Sequence, residues 1–246
     1  MLTALLADIH ANREAFAACL AHARASGAAR YVFLGDYVGY GADPGWSVDT
    51  VMTHVDAGAL AVAGNHDAAV SNRAEDLNDT ARQVIDWTRD RLTERQRAFL
   101  ARLPLTAEDG DCLFVHASAC KPGTWEYVTG TEPARRSFAA TGQRLTFCGH
   151  LHVPELYHVG STGKIAAFVP VSGTAVPLLP QRRWLAVIGS VGQPRDGSPL
   201  ASYALLDGSR GTLTCVHVPY DAATAAAKVR AAGLPGVLAL RLLHGR

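Results

Sequence analysis

The chain has 246 residues with 23 basic and 22 acidic side chains, so its net charge of +1 gives no general attraction to nucleic acid or to an anionic membrane. Its length, with 48% hydrophobic residues, suffices for a sizeable core and reads as a single domain over residues 1–246. Cys19, Cys112, Cys120, Cys148 and Cys215 form no C-x-x-C pair, and an odd count without a framework points to a reducing compartment. The first apolar run lacks a basic flank and is broken by Asp8, so it reads as neither a signal peptide nor a membrane span. A soluble, cytoplasmic protein without a membrane partner is expected.

In chain order, Leu2 to Ala7 reads as a buried strand ending in Asp8-Ile9-His10. Alternation on a strand would put Asp8 and His10 on one face. Asn12 can cap a helix to about Ser26, with Ala15, Phe16, Cys19, Leu20 and Ala23 inward and Gly27 as its stop. A second strand from Tyr31 ends in Gly35-Asp36, completing a β-α-β unit whose two strands should be parallel. After the glycine-rich stretch Gly39–Gly45, a helix spans about Trp46 to Ala57, and a third strand ends in Gly64-Asn65-His66-Asp67.

Residues 78 to 103 read as two helices, the first carrying Ala81, Val84, Ile85 and Leu92. The second opens on the capping box Thr93-Glu94-Arg95-Gln96 and stops at Pro104. A turn at Glu108–Asp111 introduces an antiparallel strand ending in His116. An irregular loop with Lys121, Trp125, Glu126 and Tyr127 follows, then a short helix from Glu132 to Ala140 and a strand ending in Gly149-His150-Leu151-His152. Beyond it lie strands at Glu155–Val159, Lys164–Val169, Trp184–Ile188, Ser202–Leu206 and Thr212–Pro219, a loop from Gly189 to Pro199, and one final helix from about Asp221. A β-α repeat followed by a strand-rich half implies an α/β (α+β) protein in which two sheets pack together with helices outside.

Five apolar runs thus each deliver Asp, Asn or His at the C-terminal end, where open α/β sheets place their ligand sites. Oxygen and imidazole donors without thiolate suit Mn, Fe, Zn, Ni or Co and argue against a structural zinc. The donors are too many for one ion, and two divalent ions ~3.5–4 Å apart, bridged by a carboxylate, are the economical reading. His22, His54, His158, His217 and His244 fall outside these blocks and read as surface or packing residues. Arg195 could meet a substrate phosphate or form a salt bridge within its turn. Trp125 and Tyr127 could stack on a base or plug their loop onto the core.

Asp8-Ile9-His10, Gly35-Asp36, Gly64-Asn65-His66-Asp67, His116 and Gly149-His150-Leu151-His152 together resemble the calcineurin-like metallophosphoesterases, whose blocks are D-x-H, G-D, G-N-H-[DE], a lone His and G-H-x-H. The stretches Gly35–Gly41 and Gly189–Gly197 look like a group of small bacterial phosphoesterases within that family. The resemblance implies a four-layer α-β-β-α sandwich of two mixed sheets flanked by helices. It implies that Asp8, His10, Asp36 and His152 hold one metal, and that Asp36, Asn65, His116 and His150 hold the other, with manganese favoured and Asp36 as the bridge. His66 would face the scissile phosphate as proton donor or charge stabiliser, oriented by Asp67. The implied activity is hydrolysis of phosphodiesters or nucleotide-like phosphoesters by in-line attack of a hydroxide held between the ions. Ala11 departs from the family's usual Gly after D-x-H, and the second block lacks the Arg that protein phosphatases of the superfamily carry, which counts against protein phosphatase activity. A scaffold that has lost catalysis is a further alternative, though every donor is intact.

Overall fold

The structure is a computed structural model that describes residues 1–71 and 79–246. Its elements in order are β1 (Leu2–Leu6), α1 (Arg13–Ala25), β2 (Arg30–Phe33), α2 (Pro44–Asp56), β3 (Leu60–Ala61), α3 (Asn65–Ser71), α4 (Asp79–Arg89), α5 (Glu94–Ala101), β4 (Thr106–Asp109), β5 (Cys112–Val115), α6 (Thr131–Ala139), β6 (Leu145–Cys148), β7 (Glu155–Val159), β8 (Ile165–Phe168), β9 (Ala175–Pro177), β10 (Arg183–Val187), β11 (Ala201–Asp207), β12 (Thr212–Val218), α7 (Ala222–Ala231) and α8 (Gly236–His244). One six-stranded sheet runs β3-β2-β1-β11-β12-β9, and the other β4-β5-β6-β10-β7-β8. β1, β2 and β3 are mutually parallel, as are β5 and β6, while β11 and β4 pair antiparallel with β1 and β5.

The four layers follow from which face each residue presents. Along β1 and the residue after it, Leu5 and Ala7 enter the core between the sheets with Val32, Phe114, Phe147 and Trp184, whereas Ala4 and Leu6 face helices with Phe16, Val48 and Val51. Both faces of β1 are covered, which is why its sequence is continuously apolar instead of alternating. The outer face of the second sheet packs Leu185 and Val187 against Phe138 of α6. The chain is thus an α/β sandwich of two mixed sheets flanked by helices.

Helix starts match the sequence closely. Asn12 caps α1 by accepting the Ala15 N–H at 3.1 Å, and Thr93 and Gln96 form the reciprocal box that opens α5. Cys19, Cys112, Cys148 and Cys215 are buried and unpaired, as small hydrophobes in the core. Among the described residues, no helix is long and apolar enough to cross a membrane.

Other boundaries differ. β1 stops at Leu6 and β3 is only two residues long, so the chemistry-bearing residues sit on loops beyond the strands. Asn65 and His66 open α3 and are not on a strand, so strand alternation does not separate them. β9, an edge strand exposed at both ends, was not anticipated. The single final helix is two helices, α7 and α8, broken by Gly233 at φ +71° and Pro235. The expected helix start at 78 and the Ala81 side chain lie outside the described residues.

The late loop after β10 is fastened under β1: the Gly192 N–H donates to the Asp8 carbonyl at 2.8 Å, and Asn12 Nδ2 donates to the Gly192 carbonyl at 2.8 Å. A Cβ on Gly192 would collide with the Ile9 carbonyl, which is backbone and cannot swing away. Gly192→Ala is therefore expected to destabilise the protein by about 3 kcal/mol in urea titration. Gly142→Ala, where a Cβ meets open space, should stay within about 0.5 kcal/mol. Equal urea midpoints for the two would show that this contact does not restrain the loop.

Candidate metal centre

Five loops carry the site: those leaving β1, β2 and β3 of one sheet and β5 and β6 of the other. They are laced together by main chain. Asp8, His10 and Ala11 donate their N–H groups to the carbonyls of Gly35, Asp36 and Tyr37 at 3.1, 2.9 and 2.9 Å, and Gly149 donates to His116 at 2.9 Å. Asp8, His10, Ala11, Asp36, His150 and His152 all have left-handed backbone, with φ between +48° and +67°. Each such residue costs on the order of 1 kcal/mol. It is this geometry, and not strand alternation, that turns Asp8 and His10 inward together. Ala11 takes up the left-handed backbone at φ +51° despite its Cβ.

The buried donors form three overlapping groups, Asp8-His10-His152, His10-Asp36-His66 and Asp36-His116-His150. His10 and His152 point Nε2 at each other across 3.1 Å, with Asp8 Oδ1 3.3 Å from His152 Nε2. In both rings Nδ1 faces a backbone carbonyl, that of Val38 at 3.1 Å and of Gln193 at 2.6 Å. Nδ1 must be the protonated nitrogen there, which leaves bare lone pairs on the two facing Nε2 atoms. His116 repeats the pattern: Nδ1 donates to the Leu34 carbonyl at 2.7 Å, and Nε2 faces His150 Nδ1 at 3.1 Å and Asn65 Oδ1 at 3.2 Å. Asp8 Oδ1 is buried and has no hydrogen-bond partner among the described residues. Acceptors facing acceptors in a buried site suit a divalent cation, and the donor set has the composition such ions take. Asp36 Oδ2 lies 3.4 Å from His116 Nε2 and 3.7 Å from His10 Nε2, so one oxygen serves two groups.

The same crowding sets the protonation of the metal-free protein. Burial disfavours the charged form of His116, but Asp36 outweighs it and pushes the imidazole up to about 9. Burial, reinforced by the His116 charge, pulls His150 down to about 4. Burial also lowers His66 and His10, against the pull of Asp36.

Asp67 makes no hydrogen bond to the His66 ring among the described residues. Its carboxylate accepts the N–H groups of Asp36 at 2.8 Å, Tyr37 at 3.0 Å and Gly64 at 2.9 Å, and His66 Nδ1 has no partner among the described residues. Asp67 instead ties the loop after β2 to the start of α3. Burial and the Asp36 charge push its carboxyl up to about 8, against the N–H groups that pull it down. Two glycines of the pattern are explained by close approach: a Cβ on Gly64 would strike the Asp36 carboxylate, and one on Gly149 the Asp8 carboxylate. Without those Cβ atoms, His66 N–H reaches Asp36 Oδ1 and His150 N–H reaches Asp8 Oδ2, each at 2.9 Å.

Tyr127, 47% exposed, stacks on the His150 ring at 4.0 Å and 19°, and Trp125 lies edge-on 5.9 Å from His116. Arg195 hangs from the His152 carbonyl by its N–H at 3.2 Å, but among the described residues it forms no salt bridge within its turn: Asp196 pairs with His217 at 2.9 Å. Two residues at the site were missed in the sequence. The Tyr40 ring lies 4.5 Å from those of both His10 and His66, and Gln193 is fully buried beside it. Their only signal was membership of the glycine-flanked stretches at 35–41 and 189–197.

A four-layer sandwich whose loops gather aspartate and histidine able to hold metal is the build of a metal-dependent hydrolase. The chain belongs to the calcineurin-like phosphoesterase superfamily, whose domain model matches residues 1–211. It is similar to a crystallised metallophosphoesterase from Sphaerobacter thermophilus, with 34% identity, 100% of this chain and 99% of that one covered, and a TM-score of 0.89. An uncharacterized protein of Methanocaldococcus jannaschii is 32% identical over 251 residues, covering 100% of this chain and 98% of that protein. A hypothetical protein from Pyrococcus horikoshii shares the fold at 17% identity and a TM-score of 0.77, with 100% and 98% of the chains covered.

Replacing Asp67 would strand three buried N–H groups at about 1–3 kcal/mol each. Asp67→Ala is expected to lower stability by several kcal/mol in denaturant titration. A stable Asp67→Ala protein whose only change is the pH profile of turnover would restore the orienting role.

Proposed function

We propose that the protein hydrolyses phosphoesters with two divalent ions, manganese favoured, acting on phosphodiesters or nucleotide-like phosphates first and monoesters next. The observation that carries this reading is the shared Asp36 oxygen between the His10 and His116 sides. Asp8, His10, Asp36 and His152 would hold one ion, and Asp36, Asn65, His116 and His150 the other. Two such ions, when bound, lower the pKa of a water and neutralise phosphoryl oxygens. His66 faces the reacting phosphate and assists the leaving oxygen, by donating a proton or stabilising charge. Its peptide N–H, bound to Asp36, fixes where the ring starts. Arg195 grips the substrate phosphate, and the exposed Tyr127 offers a platform for a base or aryl group. The intact donor set gives no support to a non-catalytic scaffold.

Protein prepared without chelator and supplied with Mn is expected to carry about two ions per chain by elemental analysis. Asp36→Asn should lose both and Asn65→Ala mainly one. A reproducible metal content near zero would sink the reading.

His66→Ala should keep its metals and lose turnover by about 10²–10⁴-fold. The loss should shrink for nitrophenyl esters, whose leaving group needs little protonation. Loss of metal in this variant would make His66 a ligand instead, and equal losses for good and poor leaving groups would assign it charge stabilisation.

A further inference from the structure

Arg195 is a half-buried cation with no carboxylate within ion-pair distance among the described residues. Its Nε is buried and has no partner among them either. Removing a guanidinium from water without a counter-charge is unfavourable, so such a residue in a site is held for an anion that arrives. Its surroundings keep it there. Nη2 donates to Gln193 Oε1 at 2.9 Å, and the guanidinium lies over the Tyr40 ring at 5.9 Å. That ring in turn touches His10 and His66. Gln193 is itself fully buried, and its backbone carbonyl is the one that accepts the His152 Nδ1–H. One short segment thus orients a metal-site histidine and positions a cation that has no carboxylate partner among the described residues.

This segment is clamped from outside the matched family region. Leu238 and Leu242 of α8 close on Tyr40, Gln193 and His10 around a void of about 10 Å³, roughly the size of one water. The Gly197 N–H donates to the Gly245 carbonyl at 2.9 Å. Residues 212–246, which include α7 and α8, lie beyond the family match and so act as a brace on the arginine-bearing loop.

We infer that Arg195, Tyr40 and Gln193 form an anion subsite on the His10–His66 side of the centre, built to hold the non-bridging phosphoryl oxygens of the substrate. This rests on the phosphoesterase reading and extends it. Tyr40 is the wall that fixes the plane of the guanidinium, and Gln193 occupies one N–H so that the remaining ones face the anion.

Inorganic phosphate, titrated calorimetrically into Mn-loaded protein, tests it. Arg195→Gln is expected to keep its metal content, weaken phosphate about tenfold or more and raise KM for a nitrophenyl phosphoester more than it lowers kcat. Arg195→Lys should recover only part of the loss, because an ammonium cannot reproduce the planar fork. Tyr40→Leu, which removes the wall but not the cation, should weaken phosphate by a smaller factor. Unchanged phosphate affinity in Arg195→Gln, or full recovery by lysine, overturns the subsite. Loss of metal in Arg195→Gln overturns it too, by making Arg195 a structural support. Wild-type protein that takes up no metal and cleaves no phosphoester would instead overturn the underlying function.

Discussion

Three buried carboxylates accept backbone N–H groups from loops other than their own, and the site depends on that stitching. Asp67 takes N–H groups from Asp36 and Tyr37 as well as from Gly64, Asp36 takes one from His66, and Asp8 takes one from His150. Apart from the local Asp67–Gly64 pair, each joins segments that leave different strands, and the Asp8–His150 pair joins the two sheets. Hydrogen bonds in a dry interior are strengthened by the low local dielectric, and their donors have no water to fall back on. The arrangement of the aspartate and histidine side chains able to hold metal is therefore set by the chain itself. That lowers the ordering cost of binding.

The lacing has its own cost. Asp8, His10, Asp36, His150 and His152 are held in left-handed backbone. Non-glycine residues adopt that conformation only when their surroundings over-determine it, and such strain collects at functional sites. Here the surroundings are the main-chain bonds between neighbouring loops and the tightly packed Gly64 and Gly149. Strain is concentrated where side chains must converge, and the strands beneath it are regular and apolar.

The helical layers play unequal parts. α1 and α2 bury the outer face of the first sheet, with Phe16, Val48 and Val51 in one continuous core. α7 and α8 do something different: they form a small separate cluster around Ala226, Val229, Leu238 and Leu242 whose edge is Tyr40. Lys228 of α7 reaches Glu14 at 2.6 Å and Asp43 at 2.9 Å, so α7 fastens the first turn of α1 and the cap of α2. Residues late in the chain thus bear on a site whose candidate metal-holding groups come earlier.

The sequence by itself determined the identities of the donors, their order along the chain and the strands that deliver them. Runs such as Leu2–Ala7 and Cys112–Val115 are apolar on both faces because each lies in a covered sheet, and each is followed at once by Asp or His. Local chemistry also decided the caps at Asn12 and Thr93 and the antiparallel entry into β5, since each depends on residues a few positions apart. What only the tertiary structure decided involves partners far apart in sequence. The left-handed turns at Asp8 and His10 are held by carbonyls of Gly35 and Asp36, partners some 27 residues away that a local tolerance of Asp and His for this conformation does not reveal. Asp67 stands beside His66 in the chain, yet its oxygens are taken by other loops, so adjacency misassigned its role. The break between α7 and α8 was written in Gly233 and Pro235, but what the second helix covers was not. Tyr40 and Gln193 became site residues only because α8 and the late loop close on the same histidine, an arrangement set by packing across some 200 residues of chain.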